Sequence, residues 1–242
     1  ELMDSKAASI WVIGDCYKIK QDGTLYDRFI NEGVTEPFIK PGYKEKNGWW
    51  DAKASKVSLF GAKNEYIAFQ IVIEAKDKDI DKVNVGINDL KISSGTIAEK
   101  NFGLFREHFV QANEPPGKPA EPDAWIKKRG GSMGFTKYAD PLIPFDVPTF
   151  GAPFAVAKSS LQIVWVDLLI PEDAKGGEYT STITISASSG ELKKLSLKLT
   201  VFDFTIPKER HLPFWGNISG PAKAYGKGED DFNWKMTGGS DL

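Results

Sequence analysis

Between Leu161 and Pro207 hydrophobic and polar residues alternate with a period of two, interrupted by two turn signals and closed by a proline. Ile183 and Ile185 alternate with Thr182, Thr184 and Ser186, and Leu195, Leu197, Leu199 and Val201 alternate with Ser196, Lys198 and Thr200. Successive side chains of a strand point to opposite faces, so each segment has one apolar and one wet side. That is the pattern of strands in an antiparallel sandwich. The stretch 161–170 differs. One face carries Leu161, Ile163, Trp165 and Leu169, broken by Asp167, and the other carries Val164, Val166, Leu168 and Ile170. A strand apolar on both faces is expected to be covered on both, here by the long segment preceding it or by another domain.

The N-terminal half repeats the theme. Short strands are predicted at Ile10–Ile13 and Cys16–Ile19, a strand starting at Val57–Phe60, and a long one at Glu65–Ala75 with Ile67, Phe69, Ile71 and Ile73 on one face. Val83, Val85 and Ile87 alternate in another, ended by Asn88 and Asp89, and Phe102–Val110 makes one more. Residues 20–55 read as loop. Residues 112–160 are rich in proline and glycine, which argues against a central strand, because proline donates no amide to a ladder. Their aromatics (Trp125, Phe135, Tyr138, Phe145, Phe150 and Phe154) supply apolar area to hold the segment down, so it reads as an ordered excursion packed across the sandwich. No segment sustains a 3.6-residue period, so helix should be scarce.

Composition narrows the function. Lys and Arg number 31 against 33 Asp and Glu, with no block of one sign, so the basic face of a nucleic-acid binder is missing. No apolar run approaches the roughly 20 residues that span a bilayer. The single Cys16 rules out an internal disulfide framework and cysteine-rich zinc sites, and in a short strand it reads as a small core residue. The chain opens ELMDSKAAS, without an initiating Met or a signal-peptide layout, which is expected of a trimmed or processed form. After Pro207 one strand is expected at Leu212–Ile218 and the rest is loop-like, as if opening into a further domain.

These residues also carry a family resemblance. VSLFGAKNEYIAFQIVIEA (57–75), YADPLIPF (138–145), WVDLLIPEDAKGGEYTSTITISA (165–187) and LSLKLTVFDFTIP (195–207) follow one another in that order. The ordered set resembles the N-terminal β-sandwich domain of bacterial glycoside hydrolase family 123-type, β-N-acetylgalactosaminidase-like proteins, over roughly residues 8–215. The resemblance implies a following (β/α)8 barrel carrying a catalytic Asp–Glu pair, which positions the substrate's own acetamido group and donates a proton. No position of this chain matches that pair, so no catalytic residue is carried over.

Candidate chemistry is sparse. Glu229, Asp230 and Asp231 are adjacent in a Gly/Lys-rich tail, whereas glycoside hydrolysis needs two carboxyls flanking a bond from roughly 5 to 10 Å apart; a solvated loop is the plainer reading. His108 and His211 show no metal-binding spacing and read as packed or surface histidines. Gly130, Gly131 and Gly134 lack the strand-to-helix context of a phosphate loop. Glu172, Asp173 and Asp140 could ligate calcium. The simpler account is that Asp173 caps a turn in which Gly176 or Gly177 takes positive φ, so no metal is expected. Trp49 and Trp50 are the best ligand candidates, because sugar C–H faces stack on indole; Trp125 and Tyr138 are the others. The alternative for a loop Trp is to plug an end of the core or to dock a neighbouring domain.

The expectation is therefore an all-β, two-sheet antiparallel β-sandwich (Ig-like or jelly-roll-like) at 1–210, with a tail at 211–242 leading to a catalytic domain. No cofactor, nucleic acid or membrane span is expected. The resemblance implies a non-catalytic N-terminal accessory domain of an exported (secreted, periplasmic or cell-surface) glycoside hydrolase-like protein acting on N-acetylhexosamine-containing glycans. Its partners would be the C-terminal domain of the same protein and, as a candidate, carbohydrate. The alternatives are an autonomous carbohydrate-binding module and a structural cell-surface domain.

Overall fold

The computed structural model describes residues 8–25, 41–111 and 137–209. Two compact units divide the chain, Glu1–Ile206 and Pro207–Leu242. Of the second, only 207–209 fall within the described residues, so the readings at Leu212–Ile218, His211 and Glu229–Asp231 lie outside them.

The described residues of the first unit form thirteen strands and a 3-10 turn at Glu99–Asn101. One sheet holds β1 (Ala8–Gly14), β4 (Glu65–Ala75), β11 (Leu161–Ile170), β8 (Phe102–Gln111) and β9 (Lys137–Pro144), in that spatial order. The second runs β10 (Phe154–Val156), β5 (Ile80–Ile87), β12 (Gly177–Ala187), β13 (Gly190–Thr205), β3 (Lys56–Lys63) and β2 (Trp50–Asp51). A small hairpin, β6 (Leu90–Ile92) with β7 (Gly95–Ile97), joins it through β12. The two inner faces make one core. Phe69, Ile71, Val164, Val166 and Leu168 from the first sheet and Val57, Ile183, Ile185, Leu195, Leu197 and Leu199 from the second are all fully buried. The all-β sandwich expected from the alternation is the fold observed, and among the described residues the one strand pairing that is not antiparallel is β13 with β3. A parallel pair needs a long connection rather than a hairpin, and about half of the chain separates β3 from β13.

Three local readings change. Cys16–Ile19 is no strand: only the bridge Ile19–Leu25 forms there, and Cys16 is exposed rather than buried. In the proline-rich excursion, 112–136 lie outside the described residues, but 137–144 and 154–156 are strands, not loop. Both are outermost in their sheets, where an absent amide costs little. In β9, Asp140 and Pro141 together face the single residue His108, a bulge that takes Pro141 out of the ladder. The third concerns β11, whose second face is covered at Leu161 by N-terminal residues, while Trp165 and Leu169 farther along it are half-buried. Gly23 packs so close to Glu74 and Leu161 that a Cβ would lie 2.7 Å from Glu74 Oε1.

Candidate functional site

The outer face of the first sheet is the least ordinary surface of the molecule. Cross-strand register aligns Trp11, Val72, Ile163, Glu107 and Leu142 in one row and Ile13, Gln70, Trp165, Phe105 and Pro144 in the next. On an open sheet these would meet water; here Trp11, Ile13, Val72 and Ile163 are at most 1% exposed. Residues 15–25 and 41–49 act as straps across them. Gln70 Nε2 donates to the carbonyls of Gly14 and Tyr17, both at 2.8 Å, while its Oε1 has no hydrogen-bond partner among the described residues. Lys44 Nζ and Trp11 Nε1 both donate to Glu74 Oε1, at 2.7 and 2.9 Å, and the Tyr43 ring meets Trp11 edge-on. Lys18 Nζ reaches across to the Ala139 carbonyl and to Asp140 Oδ1 on β9.

Trp49 ends the second strap and Trp50 opens β2, and one side chain sets the position of both. Asn47 Nδ2 donates to the carbonyls of Val12 and Tyr43, and its Oδ1 accepts from the amides of Trp49 and Trp50. The four bonds tie the strap to β1 and bend it inward. Trp50 is 2% exposed, with Nε1 donating to the Lys44 carbonyl and the Lys193 ammonium 5.3 Å from its ring. A sugar would find no open face on it, so the plug reading describes Trp50. Trp49 is half-buried, edge-on to Tyr17 at 6.0 Å, and fills the space where a side chain at Gly14 would stand. Together they stop the gap between the outer strands β1 and β2. Trp125 lies outside the described residues, and Tyr138 is placed by its backbone alone, opposite Val110. The structure thus brings Trp49 and Trp50 together, Trp50 inside the core and Trp49 half-buried against it.

The opposite edge is closed by different chemistry. Arg106 donates through Nε to Gln162 Oε1 at 2.9 Å and lies 5.3 Å from the Phe154 ring, which also meets Phe145. Gln162 donates in turn to the Glu107 carbonyl at 2.5 Å. His108, half-buried, packs its ring 5.9 Å from Phe150.

Glu107 is the residue that sequence reading missed. It is 2% exposed, and burial pushes its carboxyl up to about 7, the neighbouring Lys18 opposing and Asp140 reinforcing the rise. A raised carboxyl is the profile of a general acid. A donor must also reach the atom it protonates, and this one lies beneath a strap and its lysine. Its signal in the sequence was a single Glu inside an alternating strand. Cys16 is no better placed to react: its thiol donates to Asp15, and that bond and charge raise its pKa, the reverse of an activated nucleophile.

Among the described residues no group of three or more His, Cys, Asp or Glu is arranged to hold a metal ion. Gly177 takes φ +138°, as the turn reading required, and Tyr179 pins that turn by accepting from the Lys175 amide and donating to its carbonyl. An open groove of about 590 Å³ beside the β6–β7 hairpin is lined by Asn88, Asp89, Lys91, Glu99 and Thr180. It is polar and without aromatic rings, and Asp89 is occupied in accepting the Glu99 amide. No helix among the described residues is long and apolar enough to cross a membrane.

The architecture thus defines a sandwich whose side chains serve its own packing. Residues 42–187, more than half of the chain, match the glycoside hydrolase 123 N-terminal domain, and the chain belongs to that family. Among solved structures it is similar to a family 123 glycoside hydrolase from Clostridium perfringens, studied for glycolipid glycan hydrolysis. The two share 15% identity at a TM-score of 0.53, over 83% of this chain and 28% of that one. The secreted serine protease VesC from Vibrio cholerae also aligns, at 10% identity and a TM-score of 0.30, over 60% of this chain and 22% of its own. No curated protein matches the chain. The chain spans under a third of the family 123 enzyme, and the shared part is fold.

Proposed function

We propose that this chain is the non-catalytic N-terminal accessory domain of an exported glycoside hydrolase that acts on N-acetylhexosamine-containing glycans. The family match over residues 42–187, to a domain named for its N-terminal place in such hydrolases, carries the reading. The chemistry of the described residues supports it. The one carboxyl among them with a raised pKa is buried, and of the two indoles that the sequence offers to a sugar Trp50 is inside the core and Trp49 is half-buried. Hydrolysis would then belong to a following domain, with the sandwich as its support.

The test is hydrolysis of aryl N-acetylhexosaminides by the full parent polypeptide and by this 242-residue chain, assayed side by side. Turnover by the parent and none by this chain is the expected result. Turnover by this chain would overturn the non-catalytic assignment, and a parent inert on every N-acetylhexosaminide would overturn the substrate class.

A further inference from the structure

Along β13 the alternation holds as far as Val201; from Phe202 to Thr205 every residue is exposed, and the ladder with β3 shifts register between Phe202 and Thr205. Leu195, Leu197, Leu199 and Val201 point into the core, and Ser196, Lys198 and Thr200 point out. At this end of the segment Phe202, Phe204 and, just past the strand, Ile206 are 44%, 59% and 37% exposed. Phe60 on β3, beside Thr200 in the register, adds a fourth at 64%. The rings form a ladder: Phe60 and Phe202 are 6.2 Å apart, and Phe202 and Phe204 are stacked at 6.1 Å with an 8° interplanar angle. Single exposed apolar residues are ordinary, but contiguous aromatic rows on a soluble surface mark places that something covers.

The ladder sits on a rigid base. The Ile206 amide donates to the Lys63 carbonyl at 2.9 Å, and Asn64 Nδ2 donates to the Ile206 carbonyl at 2.8 Å. Lys63 Nζ pairs with Asp203 Oδ1 at 2.6 Å, and the Asn64 amide donates to the Ile170 carbonyl at 2.8 Å. Asn64 holds a left-handed φ of 63°, which a short polar side chain tolerates. The last residue of the first compact unit is therefore clamped on both of its backbone polar groups, and Pro207 follows.

We infer that the ladder Phe60–Phe202–Phe204, with Ile206, is the docking surface for the folded domain that follows the sandwich on the same polypeptide. The inference rests on the reading of this chain as an N-terminal accessory domain. Size argues for a tethered occupant over a second copy of the chain. The exposed parts of the three rings amount to roughly 300–400 Å², given the 150–250 Å² an aromatic side chain can bury. Partners that associate freely bury about 800 Å² each. A partner joined to the very strand that carries the ladder needs less, because the tether supplies effective concentration. The fitting surface is an aliphatic or aromatic hollow.

Two measurements decide the matter, both on the full parent polypeptide compared with the 242-residue chain. In hydrogen–deuterium exchange, the amides of 60–62 and 202–206 should exchange at least 10-fold more slowly in the parent. In calorimetry, the double variant Phe202→Asp/Phe204→Asp should split the parent's unfolding into two separate transitions, while the same double variant of the 242-residue chain keeps its Tm within a few degrees. Equal exchange in both proteins, together with an unsplit transition, overturns the inference. So does dimerisation of the 242-residue chain that the double variant abolishes, since that assigns the ladder to a second copy. A parent without glycosidase activity would sink the functional reading while leaving the exchange difference intact, so the two failures are told apart.

Discussion

The two outer faces of this sandwich are built from the same kind of strand and have opposite fates. On the first sheet the outward row Trp11, Val72, Ile163 and Glu107 is buried under loops. On the second the outward residues Thr180, Thr184, Lys194, Ser196 and Lys198 carry no such roof, and the β12–β13 pair is laced by a Lys198–Glu178 ion pair. What separates them is whether a strap crosses. A covered face lets a strand be apolar on both sides and forces its polar groups to find protein partners. A bare face must alternate, and its ion pairs stay in water, where they contribute little. The ladder at the end of β13 is the exception on the bare side, and for that reason it is the place to look for a partner.

The contrast can be broken from the covered side first. Trp50→Ala removes the plug between the two outer strands and should cost about 3–5 kcal/mol, read as a lowered denaturant midpoint at unchanged slope. Asn47→Ala leaves the Trp49 and Trp50 amides and the Val12 and Tyr43 carbonyls without their partner, and about 2–4 kcal/mol should be lost in the same assay. Wild-type stability for either variant would show that the strap does not hold the fold.

Glu107 sharpens the comparison with a pH signature. Its folded pKa of about 7 lies above the ordinary carboxyl value of 4.5, so between those values the folded state binds more protons than the unfolded. Stability therefore falls as pH rises from about 4.5 to 7, and above 7 the full penalty remains. Glu107→Gln should raise stability by about 1–3 kcal/mol at pH 8 and change it little at pH 4. Thermal melts at the two pH values check this; a variant equally destabilised at both would mean that the carboxyl is ionised and paired in the fold. The smallest effect compares two lysines. Lys44→Ala, which removes the cation paired with Glu74 and leaves it the Trp11 Nε1 bond, should cost about 1 kcal/mol, and Lys198→Ala on the bare face less than about 0.5 kcal/mol. Equal costs would erase the distinction between the faces.

Strand existence was legible because period-two alternation is written in consecutive residues. β4, β5, β8, β11, β12 and β13 all fall where alternation places them. The short strands β2, β6, β7, β9 and β10 were not, since two to eight residues with prolines or few apolar positions carry no period, and only a neighbouring ladder makes them strands. The candidate site divides the same way. That Trp49 and Trp50 matter was visible from residue type. That Trp50 is closed off follows from Asn47 reaching Val12, thirty-five residues away in sequence.

By itself, the order of residues determined that this protein is a two-sheet sandwich, that its most regular strands are scaffold, and which family it resembles, because those properties are local or repeated along the chain. Tertiary structure alone decided what roofs the outer face of the first sheet, that Glu107 is a buried carboxyl, and that Phe60, far away in sequence, joins Phe202 and Phe204 in one exposed ladder. Burial and register join residues far apart in sequence, and no local pattern encodes them.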